Sequence, residues 1–333
     1  MNKKKTVGIV ICIVALLVVG VILIKGIKKS SAATTGFFNI CNPIKEAQHE
    51  KGNSGMEGMA IWNDMVFYAK KSSFSDIDGS KFWVYNMQSG NRYPIYNGDT
   101  QERDFDVEIA NDLCITNGKY LWIASGKCDP EYINYCNEQV GIHRYTINID
   151  ESRKKVFLDE HVYYPLIREK SNGEIVSPAS IQYSDEMDGF LIRFGSEVWY
   201  GNFEGRDFNC YKKFKIDNTF VIDGNRFSLG DVITQGIYYK DGILYMGAFY
   251  KDDQIKNISF IIAYPLTANS DTLLKQDTSI QIGIKSTNRY PNHFEIEAIG
   301  EYEREMIVST NAIDANGNPC DFIGKIEEFR FDY

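Results

Sequence analysis

Along most of this chain, apolar and polar residues alternate in short runs bounded by turn residues, and five stretches repeat one pattern. Glu57-Gly58-Met59-Ala60-Ile61-Trp62 leads through Asn63-Asp64 into Met65-Val66-Phe67-Tyr68. Asn111 to Thr116 leads through Asn117-Gly118 into Lys119 to Ala124, and Gln235 to Lys240 leads through Asp241-Gly242 into Ile243 to Met246. Ser180 to Tyr183 turns over Asp185 to Gly189 into Phe190 to Arg193. Glu297 to Ile299 turns through Tyr302-Glu303-Arg304 into Met306 to Ser309. Each reads as a short strand, a tight polar turn and a second strand rich in β-branched and aromatic residues. Asn-Gly and Asp-Gly between such runs are the strongest short-range hairpin signals.

A third strand answers each hairpin: Lys81 to Asn86, Gly141 to Thr146, Glu197 to Tyr200, Ser259 to Tyr264, and Lys325 to Arg330. Counted from Glu57, the first strands are spaced by 54, 69, 55 and 62 residues, room for four strands and their loops per unit. Repeated hairpin units without helical periodicity predict an all-β, five-bladed β-propeller. A β-sandwich does not need the same hairpin five times, and a parallel α/β fold lacks its amphipathic helices here. Gly36 to Ile40, ahead of the first repeat, is expected to add a strand to the last blade and so remove an exposed edge.

Val7 to Ile24 is apolar without a charge, flanked by Lys3, Lys4 and Lys5 and by Lys25, Lys28 and Lys29. Its length predicts a single N-terminal transmembrane helix, with a cleaved secretory signal as the alternative, since Ser31-Ala32-Ala33 is a weak cleavage site. The expected organisation is a cytoplasmic tip and anchor over 1–29, a linker over 30–36 and an extracytoplasmic propeller over 37–333. Three lysines on each side nearly balance the positive-inside rule, and the free amino terminus favours a cytoplasmic N-terminus.

Charge narrows the partners. Six of the 36 basic residues precede residue 30 and no acidic residue does, which leaves 30 basic against 45 acidic residues beyond it. Nucleic acid and anionic membrane surfaces favour basic patches, so neither suits this domain. Six cysteines lie outside the apolar run. Cys128 and Cys136 flank a short loop and are a candidate disulfide; closure of the ring by an early strand would bring Cys41 toward Cys320 as a second. Cys114 and Cys210 fall in strand-like stretches and read as small buried hydrophobes.

In a propeller the first strand of each blade lines the central channel. Here those strands start with Glu57, Asn111, Ser180, Gln235 and Glu297, with Asp112 and Glu295 adjacent. Side-chain oxygens converging from five blades suit a hard cation such as Ca2+. Glu57, Asp112 and Glu297 are alternatively a carboxylate set for hydrolysis, one as acid and one as base or nucleophile. A third account is a water-filled channel. The four histidines show no ligand spacing for zinc, although His293 lies close enough to reach the channel mouth. No phosphate loop or nucleophile elbow is present.

Ala110-Asn111-Asp112-Leu113, Gln235 to Gly242 and Phe294 to Ile299 resemble a group of five-bladed propellers from Gram-positive bacteria and their phages. The group includes helveticin J-type bacteriocins, the teichoic acid biosynthesis protein C group and phage receptor-binding propellers. Relatives tend to carry a histidine ahead of the Asn-Asp pair, where Ile109 stands here. The resemblance implies recognition of a cell-envelope polysaccharide or teichoic-acid-like polymer. The function expected from the sequence is thus a membrane-anchored, envelope-binding module that does not turn over its ligand. A metal-dependent hydrolase, glycosidase- or nucleotidase-like, is the alternative.

Overall fold

A computed structural model describes residues 37–38, 41–46, 53–72, 80–103, 105, 107, 109–126, 140–150, 154–250, 258–285 and 293–331. Five antiparallel units of four strands follow one another along the chain. Blade one comprises Asn53–Trp62, Met65–Ser72, Ser80–Asn86 and Arg92–Asn97, and blade two Ile109–Thr116, Tyr120–Gly126, Gly141–Asp150 and Lys155–Tyr164. Blade three comprises Ser180–Ser184, Gly189–Phe194, Glu197–Glu204 and Asp207–Ile216. Blade four is Val232–Lys240, Ile243–Tyr250, Ile258–Pro265 and Gln281–Lys285. Blade five is His293–Tyr302, Glu305–Ile313 and Phe322–Arg330, completed by Cys41–Glu46 from the other end of the chain.

The turns explain why these segments form hairpins. Asp241 and Gly242 adopt φ of 51° and 75° between the paired residues Lys240 and Ile243. Two positive-φ positions give the backbone twist that a two-residue hairpin requires. Blade five makes the same turn from Glu303 and Arg304, at φ of 50° and 70°, where neither residue is a glycine. That turn is strained by its own sequence and is held by the strands on either side.

Burial follows the gaps between blades. Five apolar clusters occupy five interfaces. Phe67, Phe82, Leu113 and Tyr145 fill the gap between blades one and two, and Trp122, Tyr164 and Phe190 the next. Phe214, Phe260 and Tyr264 join blades three and four, and Tyr245, Phe294 and Phe329 join four and five. Met59, Tyr68, Trp83 and Ile307 then close the ring between five and one. Aromatic rings supply much of this packing, as where Trp122 lies 4.6 Å from Phe190 between centroids.

Three expectations change. The ring-closing strand is not Gly36 to Ile40. Phe37–Phe38 instead pairs in parallel with Gly283–Ile284 of blade four, and Cys41–Glu46 closes blade five. The register opposes Cys41 to Ile326, six residues beyond Cys320, or roughly 20 Å along an extended strand. A disulfide joins Cα atoms less than about 7 Å apart, so strand pairing does not bring those two cysteines together. Cys128 and Cys136 lie outside the described residues.

The third change concerns the membrane. Among the described residues, no helix is long and apolar enough to cross a bilayer. Among the described residues, the one helical element is a 3-10 turn at Leu229–Asp231, and the rest is strand, turn and loop. The expected single-pass anchor is therefore not part of the fold seen here, and Val7 to Ile24 lies outside the described residues. What stands is an all-β chain built of propeller-like sheets.

Candidate active site

The five innermost strands run side by side around the axis, all starting at the same mouth. The second strands end, and the third strands begin, at this same mouth. The opposite face carries the tight first-to-second turns.

The residues singled out in the sequence sit where the inner strands lose register. The pairing of blade one shifts around Glu57 and Gly58, that of blade two at Asn111, that of blade four at Gln235 and Gly236, and that of blade five at Glu297. A bulge re-aims the extra residue and bends the strand, which turns these side chains away from the regular ladder. Blade three has no such shift, and Ser180 opens its first strand. Glycine at two bulges allows neighbouring blades to approach. A Cβ at Gly58 would lie 2.6 Å from Asp112 Cα, and one at Gly236 would lie 2.8 Å from the Glu297 carbonyl oxygen.

The seven candidates do not form one cage. Asp112 is only 1% exposed, and its carboxyl is satisfied by backbone. Its Oδ2 accepts the N–H groups of Ile181 in blade three and Ile237 in blade four, both at 3.3 Å, and Oδ1 accepts that of Leu113 at 3.0 Å. Burial holds its pKa well above the usual carboxylate value, against the opposing pull of these donors and of Arg193. Asp112 thus ties three blades together beneath the mouth. Ser180 is equally committed. Its hydroxyl donates to the Gln235 carbonyl at 3.2 Å and accepts from the buried guanidinium of Arg193. Arg193 also donates to Thr234 Oγ1 at 2.7 Å and to the Gln235 carbonyl at 2.6 Å, joining blades three and four. A charged residue inside the apolar run Phe190 to Phe194 is the sequence signal for this role, and it was not read as one.

The acidic chemistry gathers instead between blades four, five and one. Glu297 is 4% exposed, and its pKa is raised well above the carboxylate range. Burial is the largest cause, followed by the charges of Glu295, Glu57 and Asp321, while a hydrogen bond from Asn311 opposes it. Glu295 accepts from Gln235 Nε2 on one oxygen and lies 3.1 Å from His293 Nε2 on the other. Beside this group, Lys70 of blade one meets Asp321 of blade five at 3.1 Å with both side chains fully buried. Asp321 further accepts the Ala312 N–H. Asn111 turns its amide toward Gly126, where a Cβ would collide with it.

Of the side chains expected to ligate Ca2+, Asp112 and Ser180 hold blades together, and Glu57 and Glu295 lie within electrostatic range of Glu297. Among the described residues, no three metal-binding side chains of His, Cys, Asp or Glu converge. The far end of the channel holds a separate cavity of about 80 Å³, lined by Met59, Leu113, Cys114, Tyr238 and Ile299.

No protein-family model matches the sequence, and no curated protein matches it. Among solved structures, the chain is similar to an exo-β-1,3-galactanase from Phanerochaete chrysosporium bound to β-1,3-galactotriose. That likeness has 8% identity and a TM-score of 0.44, and covers 86% of this chain and 64% of the galactanase. It is also similar to an exo-1,5-α-L-arabinanase from a bovine ruminal metagenomic library, at 11% identity over 86% and 96% of the two chains, with a TM-score of 0.45. A GH43 β-1,3-galactosidase with galactodeoxynojirimycin shows 11% identity over 88% and 100%, with a TM-score of 0.43. The resemblance to helveticin J-type and teichoic acid proteins finds no support in these comparisons. The structures reported are glycoside hydrolases.

Proposed function

We propose that the mouth between blades four, five and one hydrolyses glycosidic bonds in a polysaccharide or oligosaccharide. The observation that carries this reading is the environment of Glu297, a buried carboxyl whose pKa is raised by burial and by the neighbouring charges of Glu295 and Glu57. Glycoside hydrolysis needs a carboxylic acid to protonate the leaving oxygen and a carboxylate to activate water or attack the sugar. Environments that push two carboxyl groups apart in pKa assign those roles. Glu295 and Glu297 lie two residues apart on the inner strand of blade five, and the pairing of that strand shifts at Glu297.

In the proposed mechanism Glu297 donates its proton to the departing oxygen as the glycosidic C–O bond breaks. A carboxylate at the mouth takes a proton from the incoming water, or bonds to the sugar carbon before water releases it. Asp112, expected from the sequence to share this work, is not part of it, because backbone N–H groups occupy its oxygens. The purified chain should cleave at least one of a panel of aryl glycosides and of galactan, arabinan and xylan oligosaccharides. Glu297→Gln should lower the rate by about 10²- to 10⁴-fold on sugars with poor leaving groups, and far less on dinitrophenyl glycosides, which leave without protonation. Glycan binding without turnover, undiminished in Glu297→Gln, would restore the binding-module reading.

A further inference from the structure

Glu295, one of the carboxylates near Glu297, is held on both sides. Both Glu295 oxygens face a donor, and the donors come from two blades. Gln235 Nε2, at the bulge of blade four, meets Oε1, and His293 Nε2, at the start of the inner strand of blade five, lies 3.1 Å from Oε2. A ring nitrogen facing a carboxylate oxygen at that distance carries hydrogen and donates. The His293 ring is fixed in turn by the edge of Phe249, 5.2 Å between centroids and inclined by 64°, on the second strand of blade four. Gln235 is fixed through its backbone, where Gly236 lies against the Glu297 carbonyl with no room for a side chain.

The last side-chain torsion of a glutamate is broad and lets the carboxylate swing. A donor on each oxygen removes that freedom and sets the plane of the group. Resting on the hydrolase reading, we infer that His293 and Gln235 are positioning residues that aim Glu295 as the carboxylate partner of the proton donor Glu297. The bulge at Gln235 is the device that brings a residue of blade four to a carboxylate of blade five.

This arrangement predicts an effect on the chemical step rather than on substrate affinity. Misplacing a reacting group by about 1 Å costs on the order of 100-fold in rate. Steady-state kinetics on the substrate found in the panel should show kcat falling about 100-fold in His293→Ala and in Gln235→Ala, with KM within about twofold of wild type. His293→Gln, which returns an N–H donor at similar reach, should recover at least about tenfold of that loss. Binding of galactodeoxynojirimycin, a sugar-shaped cation, is measured calorimetrically in the same proteins. It should weaken in His293→Ala and Glu295→Gln and persist in Glu57→Gln. Unfolding curves superimposable on wild type would show that each variant is folded. Wild-type turnover with kcat unchanged in His293→Ala and Gln235→Ala overturns the inference alone. So does a loss confined to Glu57→Gln. A wild-type chain that neither cleaves the panel nor binds the cation overturns the hydrolase reading and the inference with it.

Discussion

Lys70→Met tests the seam at which the ring closes. Lys70 and Asp321 are fully buried, 3.1 Å apart, and belong to the first and last blades. Two charges removed from water incur a large desolvation penalty that only their mutual attraction offsets. Removing the lysine leaves the fully buried Asp321 without the cation it faces. Breaking a buried pair in this way typically costs about 3–5 kcal/mol. The double variant Lys70→Met/Asp321→Asn has no net charge to bury, and its side-chain oxygen can still accept the Ala312 N–H that Asp321 accepts now. It should therefore recover most of the loss. Urea denaturation measures both proteins, with the midpoint reporting stability and the slope checking that the same surface unfolds. A single variant within about 1 kcal/mol of wild type would mean that water reaches the pair, and the reasoning would fail. A double variant no more stable than the single would show that packing, and not charge, is at issue.

Two further outcomes follow from the carboxyls. Glu297 has its folded pKa raised by burial, so its stabilising contribution is full below the unfolded carboxylate value of about 4.3 and is lost as pH rises through the folded value. Urea midpoints should fall across that window in wild type and stay flatter in Glu297→Gln; parallel curves would refute the assignment. Asp112→Ala should strip the acceptor from three backbone N–H groups and cost about 1–3 kcal/mol or more, whereas Asp112→Asn keeps an acceptor and should cost less. Equal losses, measured by the same denaturation, would show that the tie carries no weight.

The ring itself was legible because its hairpins are local. Asn117-Gly118 and Asp241-Gly242 announce turns that need only neighbouring residues, and the structure places turns at both. The closing strand Cys41–Glu46 carries no such local signal, and it contains Pro43, a residue that ordinarily argues against a strand. It is tolerated here because the pairing shifts register between Pro43 and Lys45, on the outer edge of blade five. The candidate site was half legible. Glu57, Gln235, Glu295 and Glu297 were identified from their place at the start of inner strands, yet alternation alone cannot place a bulge. Asp112 read as a channel ligand because nothing near it in sequence reveals Ile181 and Ile237 as its partners. The Lys70–Asp321 pair spans almost the whole chain and leaves no local trace.

The closure of blade five also sets a schedule for synthesis. Cys41–Glu46 is made early, but its partner Phe322–Arg330 is among the last segments to emerge. At about 5–20 residues per second, the strand waits roughly 14 to 55 seconds for the edge it is meant to fill. During that interval an unpaired strand is a template for pairing with another chain. Pro43, which lacks a backbone N–H, spoils that template for outside partners while leaving a register that the native sheet accommodates with a bulge. A single missing donor in a six-residue strand thereby makes it a poorer template for other chains until its own edge arrives.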